Sequence, residues 1–395
     1  MPGFGFTPAE DALRHEVRAF IRDEPPEQFA CQHGDLGYGF GAWSSQYLRR
    51  LGDKGWLGLT WPREIGGQGR SARDLFLLFQ ELAYGRVPAE AFIYTQAVGY
   101  SIFKFGNEQL IAELIPGMLS GRISVAEALS EPNSGSDLLS LGTSAIEDGD
   151  SYVLDGQKTW ISNGWMADYA LTAARTDLEA PRHKGISVLM VDLNAPGVVR
   201  RPILDLAGEP SFSEIFLEGV RIPKHYLVGV KNRGLQQILD ALEWDRFWGR
   251  CVKAPYLKRE LEDLVSYCKQ TARNGKLLWE DVSVRRKLGG LAVDVEVCDA
   301  LFLRALSALE ASTHQVGHAV SMAKLFADEL GQRFFECGVQ LLGLYGQLTQ
   351  ESKWTPLQGR VARGYLSSHG VLLAGGTPEI QRITIATRGL GLPRS

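Results

Sequence analysis

Two polar segments carry the residue types best suited to holding a ligand. In Ala128-Leu129-Ser130-Glu131-Pro132-Asn133-Ser134-Gly135-Ser136-Asp137, hydroxyls at Ser130 and Ser136 sit in a loop with freely available backbone donors. Such a loop can hydrogen-bond an anionic or heteroaromatic ligand without any cationic side chain. Trp160-Ile161-Ser162-Asn163-Gly164 then offers a broad aromatic face with a hydroxyl two residues on. Either segment alone is as readily a surface turn. Other chemistries lack their fingerprints: there is no GxGxxG, no GxxxxGK[ST], no GxSxG and no HExxH, which argues against Rossmann, P-loop, serine hydrolase and zincin sites. His314 and His318 have the i, i+4 spacing of metal ligands, but no third ligand is evident, so a packed or solvated helix face is the better reading and no metal is expected.

The elements that must position these segments fall into three blocks. Up to Gly121 the pattern is helical. Pro8 to Arg22 spaces Leu13, Val17, Phe20 and Ile21 along one face behind a Thr7 cap with Glu10 three residues on. Ala42 to Lys54, Ser71 to Tyr84 and Ile102 to Ser120 repeat it, the last interrupted near Pro116, and Trp61 to Gly69 is loop chemistry. From 122 to 232 the period changes. Tyr152-Val153-Leu154 running into Asp155-Gly156 and on to Ser162 signals a hairpin; Tyr169 to Arg175, Ile186 to Leu193 and Ser213 to Leu217 read as short strands of a small barrel or sandwich. From 233 to 395 helices return, over Leu235 to Leu264, Val282 to Ser312, Ala319 to Leu344 and Pro378 to Arg388, in the manner of an antiparallel bundle. Helix, strand and helix in blocks define an α+β chain of three domains, 1–121, 122–232 and 233–395.

Composition narrows the function classes. The 395 residues suffice for several domains, and the net charge of −4 argues against a nucleic-acid binder. Five scattered cysteines without a CxxC fit a reducing compartment. No secretory signal and no apolar run long enough to span a membrane is seen, so a cytoplasmic location without membrane insertion is expected.

Taken in order, four segments resemble the acyl-CoA dehydrogenase family. Trp61 to Gly69 looks like its N-terminal loop, Phe105-Gly106-Asn107-Glu108-Gln109 through Gly121 like its FG-x-E-x-Q helix, Ser130 to Asp137 like its T/S-E-P-x-x-G-S-D signature, and Gly375-Gly376-Thr377-Pro378-Glu379-Ile380-Gln381-Arg382 like its C-terminal signature. The resemblance implies a helical domain, a β-domain and a C-terminal four-helix bundle, with non-covalent FAD between the last two and a neighbouring subunit contributing. It further implies that Leu129 and Ser130 contact the flavin, Ser136 serves the flavin phosphate or CoA, Trp160 covers one flavin face and Ser162 hydrogen-bonds near N5. Thr377 and Glu379 would meet the nucleotide part and Gln340 a neighbour's FAD. The implied reaction is α,β-dehydrogenation of an acyl-CoA, with an electron-transferring flavoprotein as acceptor.

That chemistry needs a base for the α-proton and a donor for the enolate-like thioester oxygen. Gly375 would supply the N–H. Many members carry the base as Glu directly before Gly-Thr, where this chain has glycine; others carry it on the first helix of the bundle before an Arg. In Leu242-Glu243-Trp244-Asp245-Arg246 that acid is Asp245. Glu243, about 200° away around a helix, competes as base but by family pattern lies near the pantetheine; Arg246 would bind CoA or hold the helix. Two further departures stand out. The family's Arg-x-x-Phe-Gly phosphate clamp reads Thr271-Ala272-Arg273-Asn274-Gly275, so that Arg273 would substitute, and Leu344 replaces the second glycine of Gln-x-x-Gly-Gly. A glycine at 375 with a helix-borne acid resembles bacterial members acting on branched or polycyclic, steroid-derived acyl groups. The departures leave open a homodimer or homotetramer, or a hetero-oligomer with a paralogue in which this chain is a structural subunit; an acyl-CoA oxidase or flavin monooxygenase on the same fold is the third reading.

Overall fold

The computed structural model describes residues 6–29, 43–311, 316–350 and 352–393; Cys31 and His314 lie outside them. The chain opens on α1 (Pro8–Asp23), where Thr7 and Glu10 form a reciprocal capping box. It continues through α2 (Ser45–Asp53), α3 (Ala72–Tyr84, capped by Ser71 with Asp74), α4 (Glu90–Phe105) and α5 (Glu108–Leu119). Glu81 of α3 ties α1 down by accepting from both Arg14 and Arg18. The helical stretch expected over Ile102 to Ser120 is two helices. The break falls at Gly106-Asn107, where the Asn107 side chain caps α5, and Pro116 lies within α5 rather than interrupting it.

Eight strands follow: β1 (Val125–Ala128), β2 (Ser144–Asp148), β3 (Ser151–Lys158), β4 (Tyr169–Arg175), β5 (Ile186–Asp192), β6 (Val198–Ile203), β7 (Phe212–Pro223) and β8 (Leu227–Val228). They form one sheet in the order β6-β7-β3-β2-β4-β5-β8, with β1 parallel to β4. The hairpin expected at Asp155-Gly156 is not there. Strand β3 runs straight through both residues, and the pair instead marks a register shift against β7. Gly156 is required at that bulge because a Cβ would lie 2.4 Å from Thr143 Oγ1. The real turn lies at Gly149-Asp150, between β2 and β3.

The C-terminal part holds α6 (Gly234–Trp248), α7 (Lys253–Gln270), a small ribbon of β9 (Ala272–Arg273) and β10 (Lys276–Leu277), α8 (Val282–Glu310), α9 (Val316–Leu342), α10 (Arg360–Val371) and α11 (Pro378–Thr384). The single helix expected over Leu235 to Leu264 is α6 and α7, separated at Gly249. Helices α7, α8, α9 and α10 pack side by side, and their core is continuous with that of α1 to α3 through Phe247, Trp248 and Phe79. A second core sits where α4, α5 and α6 cover one face of the sheet (Val98, Leu110, Leu171, Ile238). The site described next lies along this seam. Among the described residues no helix is long and apolar enough to cross a membrane.

Candidate active site

The loop after β1 is held by a buried ion pair. Lys158, fully buried at the end of β3, places Nζ 2.7 Å from Glu131 Oε1 and donates to the Leu129 carbonyl at 3.2 Å. Glu131 also accepts from the backbone N–H of Gly142 and Thr143. Burial alone would raise the Glu131 carboxyl; Lys158 and these donors more than offset it and hold Glu131 ionised, below the usual range. Burial pulls the Lys158 ammonium down to about 8, against the pull of Glu131. The Thr159 N–H bonds the Ser130 carbonyl at 3.0 Å, which stitches the Leu129–Asp137 loop to the start of the Trp160 turn. Lys158 and Glu131 had escaped the sequence reading, although an acid inside a ligand loop followed by a lysine at a strand's end could have signalled the pair.

Trp160 then projects from the protein. Its ring is 61% exposed, edge-on to Phe212 at 6.1 Å between centroids, on a residue with φ of 60°. A bulky residue in the left-handed region is uncommon and clusters at functional sites. Ser162 is half-buried beside it and Ser136 is exposed at the loop's outer edge.

Asp245 sits one turn beyond Leu242 on α6 and meets the Ala374–Gly376 turn. A Cβ built on Gly375 would lie 3.3 Å from Asp245 Oδ2, and Gly375 has φ of 67°. The turn is fixed from below by cations. Arg250 donates to the Ala374 carbonyl (3.2 Å), Arg246 Nε to Gly375 (3.0 Å) and Lys324 to Gly376 (2.6 Å). Asp328 joins two of them, with Arg250 Nε at 3.0 Å and Lys324 Nζ at 2.9 Å, all three side chains essentially buried. Gln381 adds donations to the Gly375 and Gly376 carbonyls. The Gly375 N–H shares its peptide plane with the Ala374 carbonyl that Arg250 holds, which sets the direction of that N–H. Burial raises the Asp245 carboxyl, an effect opposed by Arg250, Arg246 and Lys324. Arg246, expected to bind CoA or hold the helix, meets the same glycine as Asp245.

Glu243 points elsewhere, as its helical offset requires. Its Oε1 lies 3.0 Å from where a Cβ on Gly317 would stand, near Arg388. The Asn274-Gly275 turn, with positive φ at both residues, closes the β9–β10 ribbon, and Arg273 Nη2 donates to the Leu341 carbonyl at the end of α9 at 2.8 Å. Gln340 accepts from Lys287. Thr377 caps α11, and Glu379, in its first turn, is held below the usual range by backbone and Thr377 hydrogen bonds. Among the described residues no cluster of His, Cys, Asp and Glu could hold a metal ion.

A helical block, an eight-stranded sheet and a C-terminal helical bundle follow one another in the order of the acyl-CoA dehydrogenase fold. The chain belongs to the acyl-CoA dehydrogenase family: the N-terminal, middle and C-terminal domain models match residues 7–122, 126–220 and 232–390. It is 32% identical to acyl-CoA dehydrogenase FadE26 of Mycobacterium tuberculosis over 99% of this chain and 98% of that protein. It is 30% identical to the pig mitochondrial long-chain specific acyl-CoA dehydrogenase, over 96% of this chain and 86% of that one. Among solved structures it is similar to the Tcur3481-Tcur3483 steroid ACAD (TM-score 0.89, 32% identity, all of both chains) and to the ChsE4-ChsE5 complex from Mycobacterium tuberculosis (TM-score 0.84, 29% identity, all of both chains).

Proposed function

We propose that this acyl-CoA dehydrogenase uses Asp245 as its base, FAD as its oxidant and a branched or polycyclic, steroid-derived acyl-CoA as its substrate. The observation that carries the reading is the placement of Asp245 Oδ2 against Gly375. The carboxyl arrives from a helix at the turn whose N–H would hold the thioester oxygen, and it stands beside the place where a side chain on residue 375 would begin. The names of its steroid-processing relatives support the acyl class.

The residues present fit a flavin. Trp160 offers a largely exposed indole, Ser162 a hydroxyl close by, and Leu129 and Ser130 a loop fixed by Lys158. Thr377 and Glu379 would meet the nucleotide part, and Ser136 the phosphate or CoA. A bound FAD would supply the two-electron oxidising chemistry, taking up the hydride that leaves the acyl β-carbon. The chain supplies the rest. Asp245 takes the α-proton, its raised affinity for that proton making the transfer less uphill. The Gly375 N–H, oriented by the cations on the turn's carbonyls, stabilises charge growing on the thioester oxygen. Glu243 and Arg246 border the CoA side, and reduced enzyme passes its electrons to an electron-transferring flavoprotein. Domains divide at about 121 and 232 in this reading, and Gln340 serves the FAD of a neighbouring copy.

A second reading, a structural subunit in a hetero-oligomer with a paralogue, is favoured by one observation. Arg273, the proposed phosphate clamp, is occupied with the Leu341 carbonyl. Purified protein distinguishes the two. A yellow protein whose flavin bleaches under anaerobic acyl-CoA is the enzyme, and Asp245→Asn should then keep FAD while slowing bleaching at least about a hundredfold. A colourless, unreactive homomer selects the subunit reading, and bleaching at wild-type rate in the variant removes Asp245 as base. Rapid reoxidation by dioxygen would instead mark an oxidase.

A further inference from the structure

Strand β1 contributes an acid that the family signature does not include. Along β1, Val125 and Glu127 point to one face and Ala126 and Ala128 to the other. Glu127 lies opposite Leu171 of β4, on the face where α4 and α6 pack. The apolar cluster on that face takes in Val98 and Tyr94 of α4, Leu129 of the ligand loop, and Leu242 of α6, one turn before Asp245. Its Oε1 is buried and has no hydrogen-bond partner, a costly condition for a carboxyl that groups of this kind rarely tolerate. Both Glu127 and Asp245 are half-buried.

The two acids are electrically unequal. Arg250 from the turn after α6, Arg246 from α6 and Lys324 from α9 act on Asp245, with Asp328 opposing. The charge that acts on Glu127 is that of Asp245. On α4, Glu90 is turned to Asn163 in the Trp160 turn, and β4 presents the uncharged Leu171. Two carboxyls in one low-dielectric cleft do not both ionise easily, and the negative charge settles where cations surround it.

We infer that Glu127 is the neutral, proton-bearing member of an acid pair with Asp245, a positioning residue that limits the pH range of proton abstraction on the alkaline side. This rests on the reading of Asp245 as base. Burial and the Asp245 charge push Glu127 up to about 8. Below that pH the cleft carries one negative charge; above it a second charge opposes the anion growing on the thioester.

The test has two independent readouts. Infrared difference spectra of the protein as purified, taken without substrate from about pH 6 to about pH 9, should show a protonated-carboxyl carbonyl band that disappears near pH 8. That band should be missing in Glu127→Gln and should titrate lower in Asp245→Asn. Anaerobic flavin reduction should fall on the alkaline side near pH 8 in wild type, whereas Glu127→Gln should lose that limb, keep the acid limb and stay within about threefold of wild type at neutral pH. A Glu127 carboxyl already ionised at pH 6, or an alkaline limb unchanged in Glu127→Gln, overturns the inference. Loss of reduction at every pH in FAD-loaded Glu127→Gln overturns it too, and makes Glu127 the base. If no acyl-CoA reduces the wild type, the proposed function fails while the infrared titration still decides the protonation of Glu127.

Discussion

In the proposed reading, Asp245, Gly375 and Glu127 make up one reaction centre. At Gly375 the positive φ and the nearby carboxylate both oppose a side chain. Gly375→Ala should therefore cost about 1 kcal/mol of stability and slow flavin reduction more than it weakens acyl-CoA binding, as stopped-flow rates and titrations would show. For Glu127 the sign follows from linkage. The folded chain keeps a proton that the unfolded chain has released, so this group costs stability increasingly as pH rises from the ordinary glutamate range to about 8, and by a constant amount above. Glu127→Gln should match wild type near about pH 4 and exceed it by roughly 2–4 kcal/mol at about pH 8 in denaturant melts; equal stability throughout would mean that Glu127 ionises freely. Trp160 is the opposite case. Being largely exposed, its replacement by alanine should shift stability by no more than about 0.5 kcal/mol yet loosen FAD in equilibrium dialysis. Asp245 could be named from sequence because it precedes an arginine in a recognisable motif. Glu127 could not, since an acid in an apolar strand announces neither its face nor its neighbour until β1, α4 and α6 are packed together.

Among the elements, α6 and α9 jointly hold the 374–376 turn, and Asp328 is the anion that lets two cations be buried there. Asp328→Asn should cost about 3–5 kcal/mol, the range for stranding a buried charge, and should also lower the rate of flavin reduction because the Gly375 peptide loses its support. A variant that melts like wild type would show that the turn stands without this cluster. Much at this scale was legible in sequence. Caps at Thr7 and Ser71, and strands such as Tyr169–Arg175, are set by local chemistry. The failures have local causes as well. At Asp155-Gly156 a turn-forming pair was needed for close approach to Thr143, and at Gly249 and Gly106 helical periodicity carried on across breaks that only the packing reveals.

For the whole molecule, the C-terminal helices leave apolar surface bare. Leu344, at 83% exposure, and Tyr345 follow α9, while Val293 and Val297 are exposed one turn apart on α8. Surface of this kind fits burial against a second acyl-CoA dehydrogenase chain. Light scattering should give at least twice the 43.6 kDa of one chain, and Leu344→Glu should lower that mass; a wild-type mass of one chain would reject the assembly. The three-block order of the chain was readable from its changing period, whereas contacts between copies leave no periodic trace in a single sequence. A base on α6, as proposed for Asp245, has a consequence for chemical labelling. An electrophilic CoA thioester that traps the base would leave its adduct on the tryptic fragment 234–246, whereas enzymes with a glutamate in the terminal turn would carry it near the C-terminus, here within 364–382. Inactivators built to reach that terminal position would find only a glycine in this protein, so compounds selective between the two arrangements could be sorted by mass spectrometry alone.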